Sequence, residues 1–225
     1  MKNYKIILML LLTVMGQYVA AQTEVKKPNE AFELFFGTFV NNDEAILKTL
    51  NEYLRPTVEG QDAYQVNFKE TSEEVKNSSV DHFLEAFPKS AASACKKEAR
   101  EYFTAMFANF KAAKLTIKEV KVVPNEYVEG SKIAEITYSA SFKVPAKLTS
   151  GPAGDPKKIK TEDLKKYLIQ ATQDFKNADK TVTTDQNFSL YELKEGDKIY
   201  YWNGSPDEIV TNLTDFYFES FGSNE

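Results

Sequence analysis

From Ala134 to Val144 the chain alternates without a break. Ala134, Ile136, Tyr138, Ala140, Phe142 and Val144 are apolar, and Glu135, Thr137, Ser139, Ser141 and Lys143 between them are polar. A period of two is the mark of a strand with one face in a core and the other in water. Any fold for this chain must therefore contain a sheet covered on one side.

The cover is helical. Between Ser90 and Lys111, the residues Ala92, Cys95, Ala99, Tyr102, Phe103, Met106, Phe107 and Phe110 form one stripe, with Lys96, Lys97, Arg100 and Glu101 off it, which predicts a central core helix. Upstream, Phe32, Phe35, Phe36, Phe39 and Val40 recur at helical spacing up to Asn41-Asn42. Asp43 then caps a second helix carrying Ile46, Leu47, Leu50, Tyr53 and Leu54, which stops at Arg55-Pro56. Tyr64, Val66 and Phe68 alternate with polar neighbours and read as a short strand, and the polar run Glu70 to Ser79 reads as a loop.

Leu115 to Val123 changes its apolar phase, from Leu115 and Ile117 to Val120 and Val122, which predicts a bulge near Lys118 and a bent strand. Residues 145 to 177 form an insertion, whose Pro- and Gly-rich start leads into a helix capped at Thr161-Glu162-Asp163 with Leu164, Leu168, Ala171 and Phe175 inward. The sheet resumes at Thr181 to Leu193, turns at Glu195-Gly196-Asp197 and returns through Ile199 to Trp202. A last helix starts near Ser205-Pro206, with Ile209, Leu213, Phe216 and Phe221 inward. The expected class is α+β, with a curved antiparallel sheet, an inserted helix and a C-terminal helix.

The N-terminus carries an address. Lys2 and Lys5 precede an apolar run from Ile6 to Leu12, and Val19-Ala20-Ala21 supplies the small residues of a cleavage site, so residues 1–21 read as a signal peptide cut between Ala21 and Gln22. The apolar core is too short to span a bilayer. The mature chain, 22–225, is expected to be a single soluble α+β domain with no membrane span, exported to the periplasm or secreted. Gln22 follows the junction where a lipoprotein would have cysteine, so no acyl anchor is expected.

The formal charge is −5. Loss of Lys2 and Lys5 takes it to about −7, which argues against nucleic-acid binding. Cys95 is the single cysteine, so no internal disulfide can form, and His82 is the single histidine, so a multi-imidazole metal site is excluded. Cys95 reads as a buried small hydrophobe and His82 as a solvated or capping residue. No Gly-x-Ser-x-Gly elbow and no EF-hand loop occurs. The acidic pairs Asp43-Glu44, Glu73-Glu74, Glu162-Asp163 and Asp207-Glu208 read as helix-start charges. No cofactor and no metal ligand set is indicated.

The excess of strand aromatics remains. Tyr138 and Phe142 share one face of their strand, and Tyr200 and Trp202 share one face of theirs. These four are the ligand-binding candidates, since a Tyr or Trp tip in a pocket can meet ligand or water.

Ala31-Phe32-Glu33-Leu34-Phe35-Phe36 followed by Asn41-Asn42-Asp43-Glu44-Ala45-Ile46-Leu47 resembles the paired first helices of the nuclear transport factor two-like superfamily. Leu193 to Trp202 resembles its closing hairpin. That resemblance implies a cone-shaped, cystatin-like fold with a cavity between sheet and helices, and it carries over no catalytic residue. The expected function is a non-enzymatic binding or accessory domain of the envelope, taking an apolar small molecule. The alternatives are an envelope protein–protein interaction module and an isomerase- or dehydratase-like enzyme.

Overall fold

The computed structural model describes residues 23–222; the leader and the Ala21–Gln22 junction lie outside them. Among the described residues there are seven α-helices and a sheet that stays open.

Helix α1 (Pro28–Phe39) starts on Pro28, whose fixed φ suits a first helical turn, and buries Phe32, Phe35 and Phe36. Asp43 caps α2 (Glu44–Leu54) by accepting from the backbone N–H groups of Ala45 and Ile46. Between α1 and α2 the chain turns through Asn42 at φ +54°, a conformation asparagine tolerates better than most residues. Asn41 fixes the corner by donating to the carbonyls of Lys111 and Ala113.

Two expectations fail next. No strand forms at Ala63–Phe68, because the Asn51 side chain takes both backbone groups of Tyr64, at 2.8 and 2.9 Å, and fills the place of a strand neighbour. Asn67 then caps a helix where a loop was expected, α3 (Phe68–Leu84). Its inner stripe is Phe68, Ser72, Lys76, Val80 and Leu84, and two polar members hide the periodicity. Ion pairs carry part of the packing: Glu73 holds Lys76 and Arg100, and Asp81 holds Lys96.

The core helix is also interrupted. The residues run as α4 (Lys89–Ala94) and α5 (Lys96–Lys111), hinged at Cys95 with φ −103° and ψ 8°. The apolar stripe continues through the break, so the burial pattern alone gives no sign of it.

Strands β2 (Lys114–Pro124), β3 (Lys132–Val144), β4 (Lys180–Glu195) and β5 (Lys198–Trp202) form an antiparallel meander. The two-residue β1 (Thr23–Glu24) pairs parallel with β5, giving the order β1-β5-β4-β3-β2. The bulge expected near Lys118 is present as a register shift between Ile117 and Glu119. Helix α6 (Thr161–Lys176) fills the insertion between β3 and β4, with Leu164, Leu168, Ala171 and Phe175 fully buried. Helix α7 (Asp207–Gly222) closes the chain.

Helices α1, α5 and α7 pack on the sheet, and α3 and α6 lie against α5. The sheet thus has an inner face under helices and an outer face, and none of the described helices is long and apolar enough to cross a membrane.

Candidate functional site

Strand register decides how the four aromatic candidates are placed, because residues directly opposite in an antiparallel pair share a face. Tyr138 lies opposite Gln186, and Ala134 opposite Leu190. Two residues further along β4, Glu192 lies opposite Tyr201, so Tyr201 is inward. Tyr200 and Trp202 are therefore on the outer face, opposite Leu193 and Tyr191. The four candidates form two pairs on opposite faces of one sheet.

The inner pair is locked. Tyr138 and Phe142 are each 1% exposed. Tyr138 meets Phe32 at 4.8 Å and Phe36 at 6.2 Å between ring centroids. Phe142 meets Phe110 at 5.4 Å, Tyr217 at 5.3 Å and Phe216 at 6.2 Å. Rings from α1, α5 and α7 thus interlock with the strand, each pair adding about 1 kcal/mol beyond the apolar area it buries. Tyr217 was not anticipated, although it continues the Ile209–Leu213 spacing by four, and its hydroxyl donates to the Met106 carbonyl at 2.9 Å. Tyr138 has ring contacts but no hydrogen bond among the described residues, and burial holds its phenol well above the ordinary range.

The outer pair differs. Tyr200 is covered by Tyr53 of α2, 5.5 Å away between centroids. The Tyr53 hydroxyl accepts the edge N–H of Tyr201 at 2.6 Å, and burial pushes the Tyr53 phenol up to about 12. Trp202 stays half-buried, beside the Tyr64 side chain, which itself donates to the Asn203 carbonyl. Gly204 is needed beneath it, since a Cβ there would lie 2.8 Å from a ring carbon of Trp202.

Following the register from Trp202 gives a row across four strands: Trp202 opposite Tyr191, Tyr191 opposite Ile133, Ile133 opposite Val123. Tyr191 is 39% exposed, and the hairpin tip beyond this row presents Tyr127 at 91%. Toward the bulge and the far end of β3 and β4 the outer face is polar and self-paired. Thr137 donates to Asn187, Ser141 meets Thr183, and Asp185 accepts from Ser139 and from Lys118, the bulge residue, at 2.7 Å each. Those contacts hold the Asp185 carboxyl below its ordinary value, Lys118 first. Val123 and Ile133 escaped notice in the sequence, although Ile133 beside Ala134 breaks the alternation and puts an apolar side chain on the wet face.

The other candidates resolve simply. His82 is 89% exposed in the last turn of α3, 3.7 Å from Glu85. Cys95 is fully buried, burial pushes its thiol up, and Sγ faces the Thr161 carbonyl at 3.6 Å. Asp43, Glu162, Asp163, Asp207 and Glu208 sit at helix starts as expected, whereas Glu73 lies inside α3 as an ion-pair partner. Among the described residues no group of His, Cys, Asp and Glu is arranged to hold a metal ion. An open groove of 380 Å³ runs between α2 and Asp62–Val66, over Leu47, Tyr64 and Val66. Its strongest donors are already engaged, Arg55 with Asp62 at 2.8 Å and the Asn51 amide with the Tyr64 backbone.

Comparison with protein families, with curated proteins and with solved structures finds no match to this chain.

Proposed function

We propose that the chain is an exported, non-enzymatic accessory module that works by protein–protein contact through the outer face of its sheet. The row Val123–Ile133–Tyr191–Trp202 carries this reading, because it sets apolar and aromatic surface on the solvent side while the inner aromatics are tied up with one another. Tyr and Trp are favoured at protein contacts for their large area and polar tip. The leader-like start of the sequence supports export. A photo-crosslinking side chain at position 191, in the envelope of a producing cell, is expected to give a discrete adduct absent when the same group replaces Lys48 on α2. Equal or no adducts at both positions would remove the reading.

A second reading, a small apolar ligand meeting Tyr138, rests on that tyrosine lying on the inner face with no hydrogen bond from its hydroxyl among the described residues. It predicts that some apolar compound shifts both Trp202 fluorescence and melting temperature in the wild type and loses its effect in Tyr138→Phe. A broad screen with no response would end it. Kinship with the nuclear transport factor two-like superfamily is part of this proposal, resting on the paired helices α1 and α2 and the closing β4–β5 hairpin, while the insertion that holds α6 and the C-terminal α7 depart from the usual compact pattern.

A further inference from the structure

The two edges of the sheet are finished differently. β2 is guarded as exposed edges usually are: it is bulged at Lys118, carries Lys114, Lys118 and Lys121, and ends at Pro124. β4 is sixteen residues long, but β5 covers only Tyr191 to Glu195 of it. Just below, the Asn203 amide takes the Ser189 carbonyl at 2.7 Å. From Thr181 to Asn187, β4 has β3 on one side and no strand on the other.

The two-residue turn at Gly196-Asp197 makes Glu195 and Lys198 a hydrogen-bonded pair, so the odd-numbered residues of β4 aim their backbone groups away from β3. The Ser189 bond to Asn203 fits that phase. Thr181, Thr183, Asp185 and Asn187 therefore present N–H and C=O groups outward; all four residues are exposed, and those groups take no partner among the described residues. The stretch Thr-Val-Thr-Thr-Asp-Gln-Asn has strong strand formers and none of the lysines, prolines or bulges that guard β2. Its one charge, Asp185, is drawn onto the outer face by Lys118.

We propose that a second copy of this chain docks here, β4 pairing antiparallel with its equivalent about a two-fold axis at Thr184. The edge is self-complementary in that register. Thr183 meets the partner's Asp185 and Thr181 the partner's Asn187, so outward backbone groups face each other and no like charges are opposed. Seven residues give about 23 Å of shared ladder, and an isologous pair is the commonest closed assembly. This proposal is independent of the outer-face reading, since it uses backbone groups at an edge.

Sedimentation velocity over about 1 to 200 µM tests it, because subunit association follows mass action. The wild type is expected to dimerise. Thr183→Pro removes an outward N–H while leaving the β3 ladder intact, and should weaken the dimer at least tenfold. Asn187→Lys, which adds a guard charge without a backbone change, should act in the same direction. Lys121→Glu on β2 and Tyr191→Lys on the outer row should leave association unchanged. A monomer at every concentration overturns the proposal, as does a dimer that Thr183→Pro and Asn187→Lys leave intact. A dimer broken only by Tyr191→Lys also overturns it and moves the contact to the outer face.

Discussion

The inner and outer faces of the sheet hold comparable aromatic side chains in opposite circumstances. Tyr138 and Phe142 are enclosed by rings from three helices, whereas Trp202 is half-buried beside Tyr64 and Tyr191 is 39% exposed. The residue types are alike, so composition cannot distinguish a ring that holds the fold together from a ring available for contact. Register can, because a shift of one position carries a side chain from one face to the other.

If the inner face is the structural one, its loss should be the most damaging. Phe142→Ala removes a ring that touches Phe110, Phe216 and Tyr217 at once. It should cost about 3–5 kcal/mol, lowering the melting temperature by about 10 °C. A loss below about 1 kcal/mol in denaturant titration would mean that the inner face is loosely packed and that the contrast between the faces is false.

Next in size is the hydrogen bond that anchors α7 to α5. Tyr217→Phe keeps the ring contacts and removes only the hydroxyl that donates to the Met106 carbonyl. A loss of about 1 kcal/mol is expected, the net worth of one buried hydrogen bond, since the Met106 carbonyl keeps its place in the α5 ladder. An unchanged stability would place the attachment of α7 wholly in its apolar face.

Much of this was written in the sequence where each side chain has one neighbourhood. The alternation of β3, the bulge at Lys118 and the four inward residues of α6 follow from local periodicity, and the structure has them where expected. Helix α3 was hidden because Ser72 and Lys76 occupy its inner stripe, where Lys111 of α5 donates to Ser72 and Glu73, one turn back on α3 itself, pairs with Lys76. The outer row was hidden for a different reason. Its members come from four strands, and Ile133 and Tyr191 are brought opposite each other only after the chain has passed through α6. Long-range register is a property of the packed sheet, and one sequence shows only the parity of each strand.

The polar part of the outer face should respond to acid. Asp185 is held below its ordinary value of 3.8 by Lys118 and Ser139, so its contribution is complete above that value and is lost as pH falls through the lower folded value. Asp185→Asn should therefore flatten part of the acid limb of a melting-temperature profile and leave the neutral region nearly unchanged. Superimposable acid limbs would show that the bridge across the bulge contributes nothing, as many exposed pairs do.

The smallest effects make the most discriminating pair. Tyr191→Ser removes an exposed ring and should change stability by less than about 0.5 kcal/mol. Tyr138→Phe should be equally mild for an unrelated reason: its hydroxyl has no hydrogen bond to lose among the described residues, and the ring contacts are kept. The same deletion at Tyr217 is costly because there the hydroxyl has a partner. If Tyr138→Phe instead cost as much as Tyr217→Phe, the Tyr138 hydroxyl would have to be bound to something besides the residues described, an ordered water or a ligand. The inner face would then regain a claim to function, because a solvent-exchange or ligand titration of Tyr138 could identify what its hydroxyl holds.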